Sequence, residues 1–451
     1  MFIIEIQKHK TMQAEPSFFE KLNEKIKNSV MLRMLGIAFL ILILLIPSEM
    51  VMSILRERKY RQDDVIREVS DIWGRSQTLG GPVITIPYNT IYTDKEGKII
   101  KTKHLFHLLP EELYYSSDIF PETRHRGIFD VMVYKSDNII SGSFPKLDSS
   151  LIGNGNIEIL WNKASINFGL SDLRGIQEEV YINWNNKKIP FNPGVSNENV
   201  FKSGIHIPIL FNPGKNNDFS INLALNGSQQ IDFLPLGKTT TIDLKSSWSS
   251  PKFVGAFIPD SYEIKDGFTA HYKQLHLNRN FPQYWSDSNH NIYDSAMGVE
   301  LITPNDNYNK AIRSAKYAEM FIAFTFLVFF FFEVKNKKRI HPIQYILVGL
   351  ALIINYTLLV SISEHISFNW AYIISAVATI ALIGWYVHVI LVKKQLTWLL
   401  IAILTMLYGF IFVILQLEDW ALLAGSIGLF IVLTGVMYFS RKIDWYNLNS
   451  K

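Results

Sequence analysis

Apolar residues crowd into a few unbroken runs, and a long polar, turn-rich stretch separates the first run from the rest. The first, "VMLRMLGIAFLILILLIP" over 30–47, holds one charge, Arg33. A helix crosses the hydrocarbon core of a bilayer in roughly 20 apolar residues. This run starts late and no small-residue cleavage site follows it, so it reads as an uncleaved anchor rather than a signal peptide. The next, "YAEMFIAFTFLVFFFFEV" over 317–334, is too long for a strand of a soluble protein. Further spans follow over 343–363 and 368–392. The stretch from there to Ser440 is long enough for two more, over 396–416 and 420–440. The expectation is a polytopic α-helical membrane protein of six transmembrane helices, arranged 1+5.

Two shorter patterns flank the first span. In the segment 1–29 and running into the first span, Phe18, Leu22, Ile26 and Val30 recur three to four residues apart opposite a Lys/Glu-rich face. This segment reads as a short amphipathic helix on the inner leaflet, or as a helical extension of the first span. Over 48–78, Val65, Val69 and Trp73 share one helix face, which Ile66 and Ile72 widen. That predicts an amphipathic linker helix, its stripe stopping at Gly74, with Gly80-Gly81-Pro82 breaking the helix before a strand.

Residues 79–312 then change period. "VITIPYNTIYTDKEGKIIKTKHLFHLLP" reads as two strands joined at Lys-Glu-Gly, and "YINWNNKKIPF" turns at Asn-Asn-Lys-Lys. Asn226-Gly227, between alternating segments, is a hairpin signal. A short helix capped by Ser171 fits "GLSDLRGIQEEV". Repeated short strands make this a large, mainly β domain, a sandwich or paired sheets, inserted between helices 1 and 2.

Charge orients the spans. Lys335, Lys337, Lys338 and Arg339, then Lys393 and Lys394, then Arg441 and Lys442 mark one side, while "SEHIS" and "LED" on the other hold no Lys or Arg. By the positive-inside rule both termini, including the tail 441–451, are cytoplasmic and the β domain is exported. A reporter at Asn226 is expected on the exported side and one after Ser450 in the cytoplasm. The net charge of the 451 residues, +4, is too small to imply nucleic acid, and there are no cysteines for disulfides or thiolate sites.

Candidate chemistry is sparse. His104 and His107 are oddly spaced within a strand and so point to opposite faces. His271 and His276 are no better as a metal clamp. No catalytic motif occurs, "AGSIG" at 424–428 reads as small residues for helix packing, and no catalytic, cofactor or metal residues are assigned. "NFPQYW" and "WSSPKFVGAFIPD" read as strand corners with buried rings or as an aromatic groove. Glu319, Glu333 and His388 lie near span ends, and Asn355 and Gln416 are polar within them. Glu418 and Asp419 are the only charges between Lys394 and Arg441. Each flanking segment is long enough for one crossing, so they mark a topological turn on the exported face, beside Trp420.

"RMLGIAFLILILLIP", "REVSDIWGRSQTLGGPVITIPY", "DFLPLGKTTTIDLKSSWSSPKFVGAFIPD" and the C-terminal block from "LYGFIFVILQLEDW" to "RKIDWY" resemble the CreD family of bacterial inner-membrane proteins. The resemblance covers essentially the whole chain and implies an inner-membrane cell-envelope integrity protein, produced in a two-component envelope response and linked to β-lactam stress. It brings no catalytic residues. The expected partners are membrane lipids and an envelope protein or peptidoglycan bound by the β domain. The alternatives are a small-molecule or ion transporter or channel formed by helices 2–6, and a membrane-linked enzyme acting on peptidoglycan or lipid.

Overall fold

A computed structural model describes residues 30–153, 155–301, 307–336, 340–391, 394–417 and 420–441. The amphipathic segment expected before residue 30 lies outside them. The chain divides into two units, Arg61–Pro304 and the remainder.

The first helix, α1, runs unbroken from Val30 to Trp73 with Pro47 inside it. The anchor and linker expected as separate elements are therefore one helix. Proline costs a ladder hydrogen bond, but apolar surroundings offer the freed backbone no other partner, which favours continuing the helix. Gly74 ends it at φ +139°, where an added Cβ would lie 2.7 Å from the Asn226 carbonyl oxygen. Val65, Ile66, Val69 and Trp73 are half-buried as the stripe requires, whereas Ile72 stays exposed.

After Gly74 the unit Arg61–Pro304 is built from strands. The first are β1 (Gln77–Thr93), β2 (Ile99–Leu108), β3 (Glu112–Arg126), β4 (Phe129–Phe144), β5 (Ile157–Ile159) and β6 (Ala164–Leu170). Next come β7 (Tyr181–Trp184), β8 (Lys187–Pro190), β9 (Asn192–Pro193), β10 (Gly204–Ile209), β11 (Asn217–Ser228) and β12 (Gln230–Phe233). The last are β13 (Thr239–Ser246), β14 (Pro251–Gly255), β15 (Ser261–Ile264), β16 (Phe268–Leu275), β17 (Tyr284–Ser286) and β18 (Met297–Leu301). One sheet runs β14-β18-β12-β1-β6-β10-β9, with β2 and β5 also on β1 and β17 on β2; the other runs β15-β16-β13-β3-β4-β11-β7-β8. The pairings are antiparallel except β1 with β12 and β13 with β3.

The two sheets share one apolar core. Inward residues of the second sheet alternate with exposed ones, as in β16, where Phe268, Ala270 and Tyr272 are buried. Three buried tyrosines of that sheet reach across the core. Tyr115 donates to the carbonyls of Gly81 and Leu234, Tyr134 to that of Gln230, and Tyr272 to that of Gly298. Burial pushes all three phenols upward, so they remain donors at any physiological pH.

Some local readings hold. The β1–β2 hairpin turns at Asp94–Gly97, with Gly97 at φ +81°. Asn185 and Asn186, both at positive φ, form the β7–β8 turn, and the two lysines open β8. Others are corrected. Asn226-Gly227 make no hairpin; they continue β11 and pair with Lys135 and Tyr134. The glycine is there for space, since a Cβ would stand 2.3 Å from the Tyr134 ring. The chain turns afterwards, at Gln229 with φ +62°, and passes into the other sheet. Gly80-Gly81-Pro82 does not break a helix but makes an irregularity within β1, where register against β6 shifts between Gly80 and Val83. The helix expected at Ser171 is a single 3-10 turn, Leu173–Gly175, capped by Asp172.

The other unit adds six helices to the start of α1. They are α2 (Asn307–Ala315), α3 (Ala318–Asn336), α4 (Pro342–Ser363), α5 (Phe368–Leu391), α6 (Lys394–Gln416) and α7 (Ala421–Ser440). Five stretches among the described residues are long and apolar enough to cross a membrane: Met31–Trp73, Asn307–Val334, Pro342–Ser363, Phe368–Val389 and Thr397–Gln416. In α7 the apolar run is shorter, Leu423–Gly435. The architecture is a polytopic helical protein with a large β domain inserted after the first helix. The hydrophobic pattern did not suggest α2. It buries Tyr308, Ala311 and Ser314 and meets the ends of α4 and α6: Asn307 donates to the Ser363 carbonyl (2.9 Å) and Arg313 to that of Leu417 (3.4 Å).

Candidate functional site

Three places gather polar groups in the β domain unit. The first is where α1 ends. Asp172 is buried and accepts from the backbone N–H groups of Arg75 (3.0 Å) and Arg174 (3.1 Å) and from the Arg174 guanidinium at 2.9 Å. Burial works against its charge, but these donors outweigh it and hold its carboxyl below the usual range. Arg174 also donates to the Asp71 carbonyl at 2.5 Å. Gln77 bonds the carbonyls of Asp172 and Asn226, and the Trp73 indole donates to the Tyr134 carbonyl under the Arg124 guanidinium. The stretch "DIWGRSQ" is thus the joint that seats the helix end on the sheets.

The second is a concavity of about 540 Å³ on the outer face of the second sheet. It lies over β3, β13, β16 and the edge strand β15, and Asp118, Asp243, Lys245, Glu263, Thr269 and His271 line it. Alternation places them: these residues are exposed or half-buried, while their neighbours Ser117, Leu244 and Ala270 are buried. His271 pairs with Asp243 at 2.7 Å. Mixed charges and the hydroxyls of Ser116, Ser261 and Thr269 make a surface able to hold a polar ligand by several hydrogen bonds.

The third is a buried chain on the outer face of the first sheet. Ser196 bonds Asn167 (2.8 Å), Asn167 donates to Thr85 (3.2 Å), and Thr85 bonds Nδ1 of His107 at 3.0 Å. Which of Thr85 and His107 donates in that bond depends on the tautomer of the ring. His107 is fully buried, and burial pulls it down to about 4, so it is neutral at physiological pH. Its Nε2 and the indole nitrogen of the facing Trp285 have no hydrogen-bond partner among the described residues.

His104 and His107 do point apart: His104 bonds Thr90 and Asp287 instead. Among the described residues no cluster of three or more His, Asp or Glu could hold a metal ion. Residues from the aromatic segments divide between the two readings. Trp285 is buried and Phe253 and Phe257 pack on the core, while Ile258 and Tyr284 are exposed.

In the helical unit, Glu333 is buried and pairs with Arg33 at 3.6 Å. Asn355 accepts from Thr379 at 3.0 Å, and Gln416 donates to Asn369 at 2.8 Å. Gly428 packs under Phe410, so close that a Cβ would stand 2.0 Å from its ring, as the small-residue reading of "AGSIG" requires. Glu319 sits in the first turn of α3 and His388 in the last turn of α5. Glu418 and Asp419 lie outside the described residues, between the end of α6 and the start of α7. Sequence reasoning missed the joint at Asp172 and the His107 chain, because their members come from segments far apart along the chain.

The family model described as "Inner membrane protein CreD" matches residues 29–446. "Inner membrane protein CreD" of Escherichia coli (strain K12) is 32% identical over 429 residues, covering 93% of this chain and 95% of that protein. The order of anchor helix, β domain and apolar helices extends through this whole match. The chain belongs to the CreD family of inner membrane proteins.

Proposed function

We propose that this protein supports the integrity of the cell envelope without catalysing a reaction, by binding an envelope component through its β domain. The observation that carries the reading is the polar concavity over β3, β13, β15 and β16. It is open and rich in both donors and acceptors, and its charged side chains stand outside the core. In this reading the β domain faces the periplasm, both termini are cytoplasmic and α7 is a sixth crossing. The lysines and arginines at 335–339, 393–394 and 441–442 support that orientation.

In-cell photocrosslinking tests it. A photoreactive residue at Glu263 or Thr269 is expected to capture an envelope protein or peptidoglycan, and one at the exposed Leu210 is not. Equal capture at all three sites would refute a specific surface. For orientation, a reporter inserted at Gly97 replaces one at Asn226, because Asn226 is buried in β11. Cytoplasmic activity at Gly97 would overturn the topology.

A second reading, transport through the helices, draws on the buried Glu333 and the Asn355–Thr379 pair, since ionisable and polar groups inside membrane bundles mark pathways. Flux into reconstituted vesicles that disappears with Glu333→Gln would favour it over a binding role.

A further inference from the structure

α1 is barely buried against its own chain, unlike the later helices. It nevertheless meets them at three levels. Near its start, Arg33 pairs with Glu333 of α3 (3.6 Å), and the Tyr345 hydroxyl of α4 donates to the same carboxylate (3.4 Å). Farther along, Arg58 pairs with Glu364, the C-cap of α4 (3.9 Å), and the Tyr308 hydroxyl of α2 donates to that carboxylate (2.9 Å). Among the described residues each cluster brings together an arginine from α1, a glutamate and a tyrosine. At 1.5 Å per residue they stand about 37 Å apart along α1, on the order of one bilayer with its interfaces. Between them Leu44 fills a notch at Gly349, where any Cβ would lie 2.3 Å from its side chain.

We infer that these matched clusters lock the axial register of α1 against α3 and α4, so that the first helix is a fixed member of the bundle. The argument is one of alternatives. Apolar side chains of α1 meet lipid and protein equally well, so burial alone does not choose how far the helix slides. A slip of one turn, about 5.4 Å, would pull both arginines from their carboxylates together and drive Leu44 off the notch. Ionic pairs are best suited to this task, specifying register rather than adding net stability.

The cysteine-free chain allows a direct test. Leu44→Cys with Gly349→Cys is made in full-length protein carrying a protease site in the exposed Asp94–Lys98 turn. After oxidation and cleavage, a disulfide keeps the two fragments together on a gel. Asn355→Cys with Thr379→Cys crosslinks α4 to α5 within the C-terminal fragment, is read by loss of maleimide labelling, and serves as the control for a folded bundle. The 44/349 pair is expected to crosslink efficiently. With Glu333→Gln and Glu364→Gln its yield should fall about tenfold while Leu40→Cys/Gly349→Cys or Ser48→Cys/Gly349→Cys gains, the control being unchanged. Exchanging the charges (Arg33→Glu with Glu333→Arg, and Arg58→Glu with Glu364→Arg) should restore 44/349. An undiminished 44/349 yield in the neutralised protein overturns the lock. So does its absence in the parent when the control crosslinks. If neutralisation also destroys the control, the exchange variant decides: a recovered control without 44/349 refutes the register role.

Discussion

The β domain and the helical unit are held together in different ways. In the domain, two sheets bury one apolar core, and the hydroxyls of Tyr115, Tyr134 and Tyr272 enter it hydrogen-bonded to backbone carbonyls. Water drives that assembly, because each buried apolar surface is removed from it. In the helical unit lipid already shields the apolar surface, so burial discriminates little between arrangements. There, small residues and polar contacts select the partners: Gly349 under Leu44, Gly428 under Phe410, Glu333 with Arg33, Asn355 with Thr379. A methyl group or a proton in the wrong place should therefore cost the domain much more than a lost hydrogen bond costs the bundle.

The largest test of that contrast is titration of the buried His107. Its folded value of about 4 lies below the ordinary 6.5. The unfolded chain binds the extra proton between those values, so stability is complete above about pH 6.5 and falls as pH drops toward 4. The total loss is roughly 3 kcal/mol if the site stays closed. Chemical denaturation of the detergent-solubilised protein, followed by Trp fluorescence, checks it. His107→Leu should flatten that pH dependence, and an unchanged slope would assign it elsewhere.

Packing comes next. Gly227→Ala should destabilise the domain by about 2–3 kcal/mol, because the methyl group meets the Tyr134 ring, which is held by its bond to Gln230. If the position were the free turn that Asn-Gly suggests, the change would be small. The joint at the end of α1 should be nearly as sensitive. Asp172→Ala leaves the Arg75 and Arg174 donors without their acceptor and should cost about 2 kcal/mol. Hydrogen exchange should show the loosening first over Ser70–Gln77. The smallest effect is expected in the bundle, where Thr379→Val removes one hydrogen bond to Asn355 and should cost about 0.6 kcal/mol. A loss there as large as at Gly227 would break the distinction between the two regions.

Much of the architecture was readable from pattern. The apolar runs mark the long helices, and the turns at Gly97 and at Asn185-Asn186 follow from residues that tolerate positive φ. Local chemistry dictates those features, so a local reading finds them. It misleads where a distant neighbour overrules the local preference. Asn-Gly would ordinarily turn, but Tyr134 needs the missing side chain of Gly227 and β4 takes the backbone into its ladder. Gly-Gly-Pro would ordinarily stop an element, but Leu234 and Phe201 occupy the space beside Gly80, so the chain passes through as an irregular strand.

The candidate surface was less visible still. Asp118, Asp243, Glu263 and His271 come from four strands, and no spacing between them repeats along the chain. Only the order β15-β16-β13-β3, with a parallel pairing between β13 and β3, brings them to one face. The sequence by itself determined that the chain has an apolar anchor, a β domain and a block of apolar helices, because hydrophobic length and period are local quantities. Tertiary structure decided which strands are neighbours, which carboxylates meet which arginines, and where α1 stands against α3 and α4. Those depend on long-range contacts, whose free energy is gained only when distant segments meet.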